Sequence, residues 1–295
     1  MTPLHATSDV ALVGAGAMGR RIGQRLLATG HRVTVWNRTP SKTAPLLDAG
    51  AATARTPAEA AARAEVVITM LSDAAALDAV LSGREGLSRG LAGGMSLIDM
   101  TTGGTAMAQA LPLRVPHGVG VLDAPVQGSL AEAETGTLRI FVGGATEVLE
   151  RCRPVLESLG TPSHMGPAGA GAAAKLLANA SLLGTVALLG EVVALADTLG
   201  LPRETTMDVL SVTPLGAQAA KRHAALENLP TATRFGLSLA RKDLDLALEG
   251  AGYVDGLIAA TRERFAAAEA GGLGSADYTA VLHAIVHRER RPAGD

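Results

Sequence analysis

A lysine, Lys175, heads a long apolar run, with Gly169-Ala170-Gly171 before it and Asn179 four residues on. If a helix starts near Gly169, Lys175 and Asn179 share one face. A lysine in such apolar company is costly unless it is paired or used. Burial would lower its pKa and let it give and take a proton near neutral pH. Hydride transfer to a carbonyl needs such an acid for the forming alkoxide, and the reverse reaction needs the base. Asn179 could orient Lys175 or bind the substrate. From spacing alone, a lysine snorkelling to solvent explains the position too.

A second constellation is Gly14-Ala15-Gly16-Ala17-Met18-Gly19, which follows the apolar run Val10–Val13 and opens a helical segment. Gly14 suits a tight turn, Gly16 lets backbone approach a pyrophosphate, and Gly19 lets the helix pack on the strand. The N–H groups at the helix start then face the phosphates. The next strand, Val33–Trp36, ends in Asn37, Arg38 and Thr39, with Lys42 nearby. An acid at that end would bind the ribose hydroxyls and repel a 2′-phosphate. Here Arg38 offers a fork of donors suited to phosphate and Thr39 a hydroxyl, so the sequence predicts NADP(H) over NAD(H).

Three further loops follow predicted strands. Met70-Leu71-Ser72-Asp73 could flank the adenosine or ribose, and Asp99-Met-Thr101-Thr102-Gly-Gly104 could line the nicotinamide. Backbone N–H groups at Gln127-Gly128-Ser129, with the Ser129 hydroxyl, would suit a small carboxylate. Each is also an ordinary turn with Ser or Thr capping the next helix. Arg241-Lys242-Asp243 could reach cofactor or substrate, or be a solvated charged face. His283 and His287 share a helix face without a third ligand, so no metal is expected.

These residues need an α/β frame. From residue 9 to about 100, strands and helices alternate, as in a Rossmann-type doubly wound parallel sheet. Strands are expected at Val10–Val13, Val33–Trp36, Glu65–Leu71, Met95–Met100, Gly120–Pro125 and Leu138–Gly144. Helices are expected at Gly19–Thr29, Ser41–Ala49, after Thr56-Pro57, and at Asp73–Ser82 and Thr146–Leu159, with a loop at Thr161–Gly166. Beyond it only helical periodicity remains, at about 170–198, 203–211, 215–225, 238–252, 255–269 and 276–286. Two domains follow: 1–166 for NADP binding, and an all-α domain, 167–295, for substrate and dimerisation, ending in a solvated tail at Arg288–Asp295.

The 295 residues carry a formal charge of −2, so no basic excess exists to neutralise nucleic-acid phosphates. Cys152 is the single cysteine, which excludes an intrachain disulfide framework and fits a reducing, cytoplasmic setting. The polar N-terminus lacks the apolar core of a signal peptide. Leu176–Ala196 is apolar enough to mimic a membrane span, yet Asn179, Ser181 and Glu191 interrupt it, which suits a soluble helix buried among others.

Together these segments resemble the β-hydroxyacid dehydrogenase family over residues 9 to 286. That family includes 3-hydroxyisobutyrate dehydrogenases, tartronate semialdehyde reductases and glyoxylate/succinic semialdehyde reductases. The matching pieces are Gly14–Gly19, Gly30–Thr39, Met70–Asp73, Asp123-Ala-Pro-Val126 with Gly128, Gly136-Thr-Leu138, Phe141–Gly144, Gly169-x-Gly171-x-x-x-Lys175-x-x-x-Asn179 and Lys242-Asp-Leu-x-Leu-Ala247. The resemblance implies that Lys175 is the acid/base and that Asn179 supports it and the substrate. It also implies that Lys242 reaches toward cofactor and substrate, that Thr102 touches the cofactor, and that the long helix builds a homodimer.

The chain departs from the pattern at Gln127-Gly128-Ser129, where Ser-Gly-Gly is usual and the serine holds the substrate carboxylate. It departs again at Ala178-Asn179, where Asn-Asn is common, and at Ile22-Gly-Gln-Arg25. Imine reductases share Trp36-Asn-Arg-Thr39 but carry other residues at the lysine position. The expected protein is a homodimeric NADPH-dependent oxidoreductase of a small aldehyde or keto acid. The alternatives are an imine reductase and a non-catalytic NADP-binding module.

Overall fold

The computed structural model describes residues 7–252 and 255–287; the tail expected at 288–295 and most of the polar lead-in lie outside the described residues. The chain forms two compact units, Met1–Lys175 and Leu176–Asp295.

The first unit is built on nine strands: β1 (Asp9–Val13), β2 (Arg32–Trp36), β3 (Ala52–Thr53), β4 (Val66–Thr69), β5 (Ser96–Asp99), β6 (Gly120–Asp123), β7 (Val126–Gln127), β8 (Leu138–Gly144) and β9 (Gly160–Gly166). Its helices are α1 (Ala17–Ala28), α2 (Ala44–Leu47), α3 (Pro57–Ala61), α4 (Ala74–Leu81), α5 (Leu87–Gly90), α6 (Thr105–Ala110), α7 (Leu130–Thr135) and α8 (Thr146–Leu159).

The strand order is β3-β2-β1-β4-β5-β6-β8-β7, with β9 added to β8. Strands β1 to β6 are parallel. Both sheet faces are covered, so β1 reads as a continuous apolar run. Val10 and Leu12 enter one core, with Ile22 of α1 and Leu156 of α8, while Ala11 and Val13 enter the other, with Leu77 and Leu81 of α4.

Two expectations about single elements of this unit are corrected. The sheet itself is mostly parallel and of Rossmann type as expected, with β8 running antiparallel to β6 and β7. The chain reverses through β7 and the six-residue α7 instead of crossing over on a long helix. The loop expected at Thr161–Gly166 is the strand β9, whose Pro162 and polar residues read as loop but are tolerated on an edge. Ser41–Ala49 is not one helix: a 3-10 turn, Pro40–Thr43, precedes the short α2. The helices α5, α6 and α7 and the short strands β3 and β7 went unpredicted, because so few residues carry too little periodicity.

The second unit is helical: most of α9 (Ala170–Thr198), then α10 (Arg203–Ser211), α11 (Gly216–Glu227), α12 (Leu237–Ala251), α13 (Leu257–Ala268) and α14 (Ala280–Val286). Helix α14 begins at Ala280, not 276. The Asp277 carboxylate accepts the Arg234, Phe235 and Thr279 backbone N–H groups and holds the preceding residues in a turn. Helix α9 is long and apolar enough to cross a membrane by length and composition. One side of it, with Leu183, Val186, Leu189 and Val193, is fully buried against Leu226, Leu244 and Phe265. Leu177, Leu188 and Leu195 project from another stripe and stand exposed.

Candidate active site

The carboxyl ends of five strands of the first unit lie level, Trp36, Val13, Thr69, Asp99 and Asp123 being successive partners across β2, β1, β4, β5 and β6. The glycine turn after β1, the Asn37–Lys42 segment and the loops after β4 and β5 leave from that edge, where open α/β sheets bind ligands; the Gln127–Ser129 loop follows β7, beyond the end of β6.

Gly14 takes φ +109°, and a side chain there would strike the Met70 carbonyl. Gly19 packs so closely on Gly14 that a Cβ would strike its carbonyl. A Cβ on Gly16 would meet nothing within 4 Å, so its backbone faces open space. Gly16 is also the N-cap of α1 and no side chain caps that helix, leaving Ala17, Met18 and Gly19 in an uncapped first turn. An uncapped helix start behind an open glycine fits a dinucleotide's pyrophosphate.

Asn37 is a strut. Its Oδ1 accepts the Ala15 N–H at 2.9 Å and its Nδ2 donates to the Thr39 carbonyl at 2.8 Å. Arg38, Thr39 and Lys42 are exposed. Arg38 makes no hydrogen bond or ion pair among the described residues.

At the end of β4, the Leu71 N–H donates to the Thr101 hydroxyl, while the Ser72 hydroxyl donates to Asp73, the N-cap of α4. It is therefore Thr101, buried, that stitches β4 to β5; Thr102 is half-buried beside it. Asp99, 1% exposed, accepts the Thr69 hydroxyl and the Thr101 N–H on one oxygen. Burial outweighs these bonds and pushes its carboxyl up to about 6.

Asp123, 3% exposed, ties the lysine-bearing helix to the sheet. Its two oxygens accept the Gly169 and Ala172 N–H groups, each at 2.8 Å. Burial pushes this carboxyl up as well, against the pull of those bonds. The junction needs its glycines: Gly169 takes φ +93°, and a Cβ on Gly171 would strike the carbonyls of Phe141 and Asp123. So anchored, α9 places the half-buried Lys175 where its Nζ donates to Gln127 Oε1 at 2.9 Å. Gly128 takes φ +143°. The Ser129 hydroxyl and N–H are engaged with Glu132 in a capping box on α7, so Ser129 serves the fold at this loop.

In the second unit Asn179 is 2% exposed, and its Nδ2 donates to Asp243 Oδ2 at 2.6 Å. Lys242 Nζ lies 3.0 Å from the other Asp243 oxygen as an ion pair. Asp243 therefore joins two residues singled out in the sequence. His283 and His287 rings sit 4.3 Å apart, and among the described residues no group of three potential ligands could hold a metal.

Sequence reasoning quoted the segments that hold Asp99, Asp123 and Asp243 but gave these carboxylates no role of their own. A carboxylate closing an apolar strand, as in Ser96-Leu-Ile-Asp99 and Gly120-Val-Leu-Asp123, was the available signal.

Known proteins agree with this geometry. Residues 9–169 match the NAD binding domain of 6-phosphogluconate dehydrogenase, and residues 169–285 match the family described as NAD-binding of NADP-dependent 3-hydroxyisobutyrate dehydrogenase. The chain belongs to the β-hydroxyacid dehydrogenase family. A curated relative, the 3-sulfolactaldehyde reductase of Escherichia coli, is 33% identical over 94% of this chain and 95% of its own. The 3-hydroxyisobutyrate dehydrogenase of Mycobacterium tuberculosis, solved with L-serine, is 29% identical with a TM-score of 0.84, over 95% of this chain and 99% of that one. An imine reductase variant from Myxococcus stipitatus has a TM-score of 0.67 over 96% of this chain and 99% of its own; at 24% identity that likeness is one of fold. The protein is an NAD(P)-binding oxidoreductase of the hydroxyacid dehydrogenase type. Matches to named reductases and dehydrogenases along nearly the whole chain speak against a non-catalytic binding module.

Proposed function

We propose that the protein is an NADPH-dependent reductase of small aldehydes or keto acids that carry an acidic group, with Lys175 as the proton donor. The Lys175 ammonium, held at the sheet edge where this fold binds its ligands, carries the reading. Bound NADPH supplies the hydride. The chain's own residues do the rest: the Gly14–Gly19 turn and the start of α1 receive the pyrophosphate, and Lys175 protonates the substrate oxygen as negative charge develops. Leu71, Ser72 and Thr102 border the cofactor's place from the ends of β4 and β5, and the family resemblance gives Lys242 a role toward cofactor and substrate. Asn179, fastened to Asp243, supports the substrate.

NADP(H) over NAD(H) is supported by the exposed Arg38 guanidinium, which has no partner among the described residues, by Thr39 and Lys42 beside it, and by Asn37 where an acid would oppose a phosphate. An acidic substrate is supported by the donors near Lys175. Gln127 Nε2 has no hydrogen-bond partner among the described residues, and Arg139 lies directly opposite Gln127 in the β7–β8 ladder, so both project from one face. We read 1–166 as the cofactor domain and 167–295 as the substrate domain. We also read the protein as a cytoplasmic homodimer, supported by the exposed Leu177, Leu188 and Leu195 stripe, with no nucleic-acid or membrane partner.

The test follows NADPH absorbance with two panels, short carboxylated or sulfonated aldehydes and keto acids in one, cyclic imines in the other. Turnover in the first, reduced roughly a hundred- to ten-thousandfold in Lys175→Ala with NADPH binding intact, is expected. Turnover of imines alone, or full activity without Lys175, overturns the reading. Arg38→Ala should weaken NADPH by about 1.5–3 kcal/mol and barely affect NADH; equal losses refute phosphate recognition.

A further inference from the structure

We infer that Arg139 is the specificity-determining residue of the substrate site: its guanidinium, with the Gln127 amide N–H groups beside it, holds the acid group that the family pattern gives to a serine. The inference rests on the reading of the protein as a reductase of acidic aldehydes or keto acids, and it names the side chain that selects the acid.

The usual holder is missing. Gln127 stands where the family pattern has its serine, and the Ser129 hydroxyl is engaged with Glu132 in the capping box of α7. An acid group brought to this loop must find other donors.

Strand register supplies them. Strand β8 lies inside the sheet, with β7 on one side and β9 on the other, and its side chains alternate between two faces. Leu138, Ile140 and Val142 are fully buried in the core on one face. Arg139 takes the opposite face and is exposed. Gln127, Arg139 and Thr161 form one row across β7, β8 and β9. Residues directly opposite in an antiparallel ladder carry their Cβ atoms about 4.5–5.5 Å apart on one face. The Gln127 side chain meets Lys175 Nζ at 2.9 Å, so Arg139 shares the face of the proton donor.

The same contact turns the amide. An ammonium only donates, so Gln127 Oε1 faces Lys175 and the Nε2 donors point away from it. Gln127 Nε2 and the Arg139 guanidinium make no hydrogen bond or ion pair among the described residues. Other exposed arginines do meet a carboxylate, as Arg32 meets Asp9 and Arg63 meets Glu59. Arginine stays charged, and its planar fork matches two oxygens of an ionised oxyacid, carboxylate or sulfonate. With the acid held there, Lys175 is left to the carbonyl oxygen.

The test measures kcat/KM at saturating NADPH for 4-oxobutanoate, 3-oxopropanesulfonate and the uncharged 4-oxobutanamide, in the wild type, Arg139→Thr and Arg139→Lys. The wild type should prefer an acid to the amide. In Arg139→Thr the acid-to-amide ratio should fall roughly ten- to hundredfold, chiefly through KM, because a charge-assisted contact made alike in the ground and transition states is lost. Arg139→Lys keeps the charge without the fork and should lose less. The acid whose ratio falls further, carboxylate or sulfonate, is the one the fork holds. Threonine suits an exposed strand position; should that variant still fail to fold, the ratio in Arg139→Lys decides alone. The same ratio in all three proteins, or a wild type that reduces neither acid in preference to the amide, overturns the inference. Turnover of imines alone, or full turnover in Lys175→Ala, would instead remove the reading on which it rests, so the two failures are distinguishable.

Discussion

Asp99→Asn should make the first unit more stable, relative to the wild type, as pH rises. The Asp99 carboxyl lies at the end of β5, with Thr69 and Thr101 donating to one oxygen, and burial lifts it from 3.8 to about 6. A raised acid pKa means that the fold prefers the protonated form. The stability this preference confers is complete below the unfolded value and is lost as pH rises through the folded one. The gap of roughly two pKa units corresponds to about 3 kcal/mol. The substituted amide is neutral at every pH, so the variant's stability minus the wild type's should climb by about that amount between pH ~4 and pH ~7 and then level off. Any cost of placing an amide there is independent of pH and cancels from the slope. Asp123, in register on β6, raises the Asp99 pKa by its charge, and removing that repulsion acts in the same direction. The sole tryptophan, Trp36 at the end of β2, reports on this unit, so urea titrations followed by its fluorescence across that range measure the difference. A difference that stays flat, or that falls with rising pH, refutes the account of a buried carboxyl kept protonated by desolvation.

Two further outcomes test the frame around the site. Gly14→Ala puts a side chain at φ +109° and against the Met70 carbonyl, so it should cost about 1–3 kcal/mol and weaken NADPH binding. A Trp36 melt with NADPH fluorescence titration reads both, and unaltered binding would show that the turn is not needed for the cofactor. Leu188→Glu with Leu195→Glu charges the exposed stripe of α9 and should convert a dimer into a monomer in sedimentation velocity; a wild type that already sediments as a monomer removes the dimer proposal.

Long elements were legible because their periodicity repeats often enough to rise above noise. The strands β1, β2, β4, β5 and β6 and the long helix α9 are continuous apolar runs of the kinds that bury on two faces or inside a bundle. The glycine turn was legible because Gly14 and Gly19 meet backbone at distances that no side chain allows. Strand β8 was visible as a strand, but its antiparallel direction was set by the pairing with β6 and β7. Strand β9 was not visible, since an edge strand with Pro162 carries no apolar run.

By itself the sequence determined the long elements, the order of the loops along the chain, and the residue types that could receive a dinucleotide and move a proton. Tertiary structure alone decided which polar atoms meet. Asn37 turned out to brace the glycine loop, Thr101 to join two strands, Ser129 to cap its own helix, and Asp123 to anchor α9 from 49 residues away. Gln127 and Lys175, 48 residues apart, became neighbours only through the β7–β8 reversal and that anchor. Local periodicity follows from a residue's nearest neighbours along the chain. A hydrogen bond between distant loops depends instead on strand register and helix placement, which the packing of the whole unit fixes.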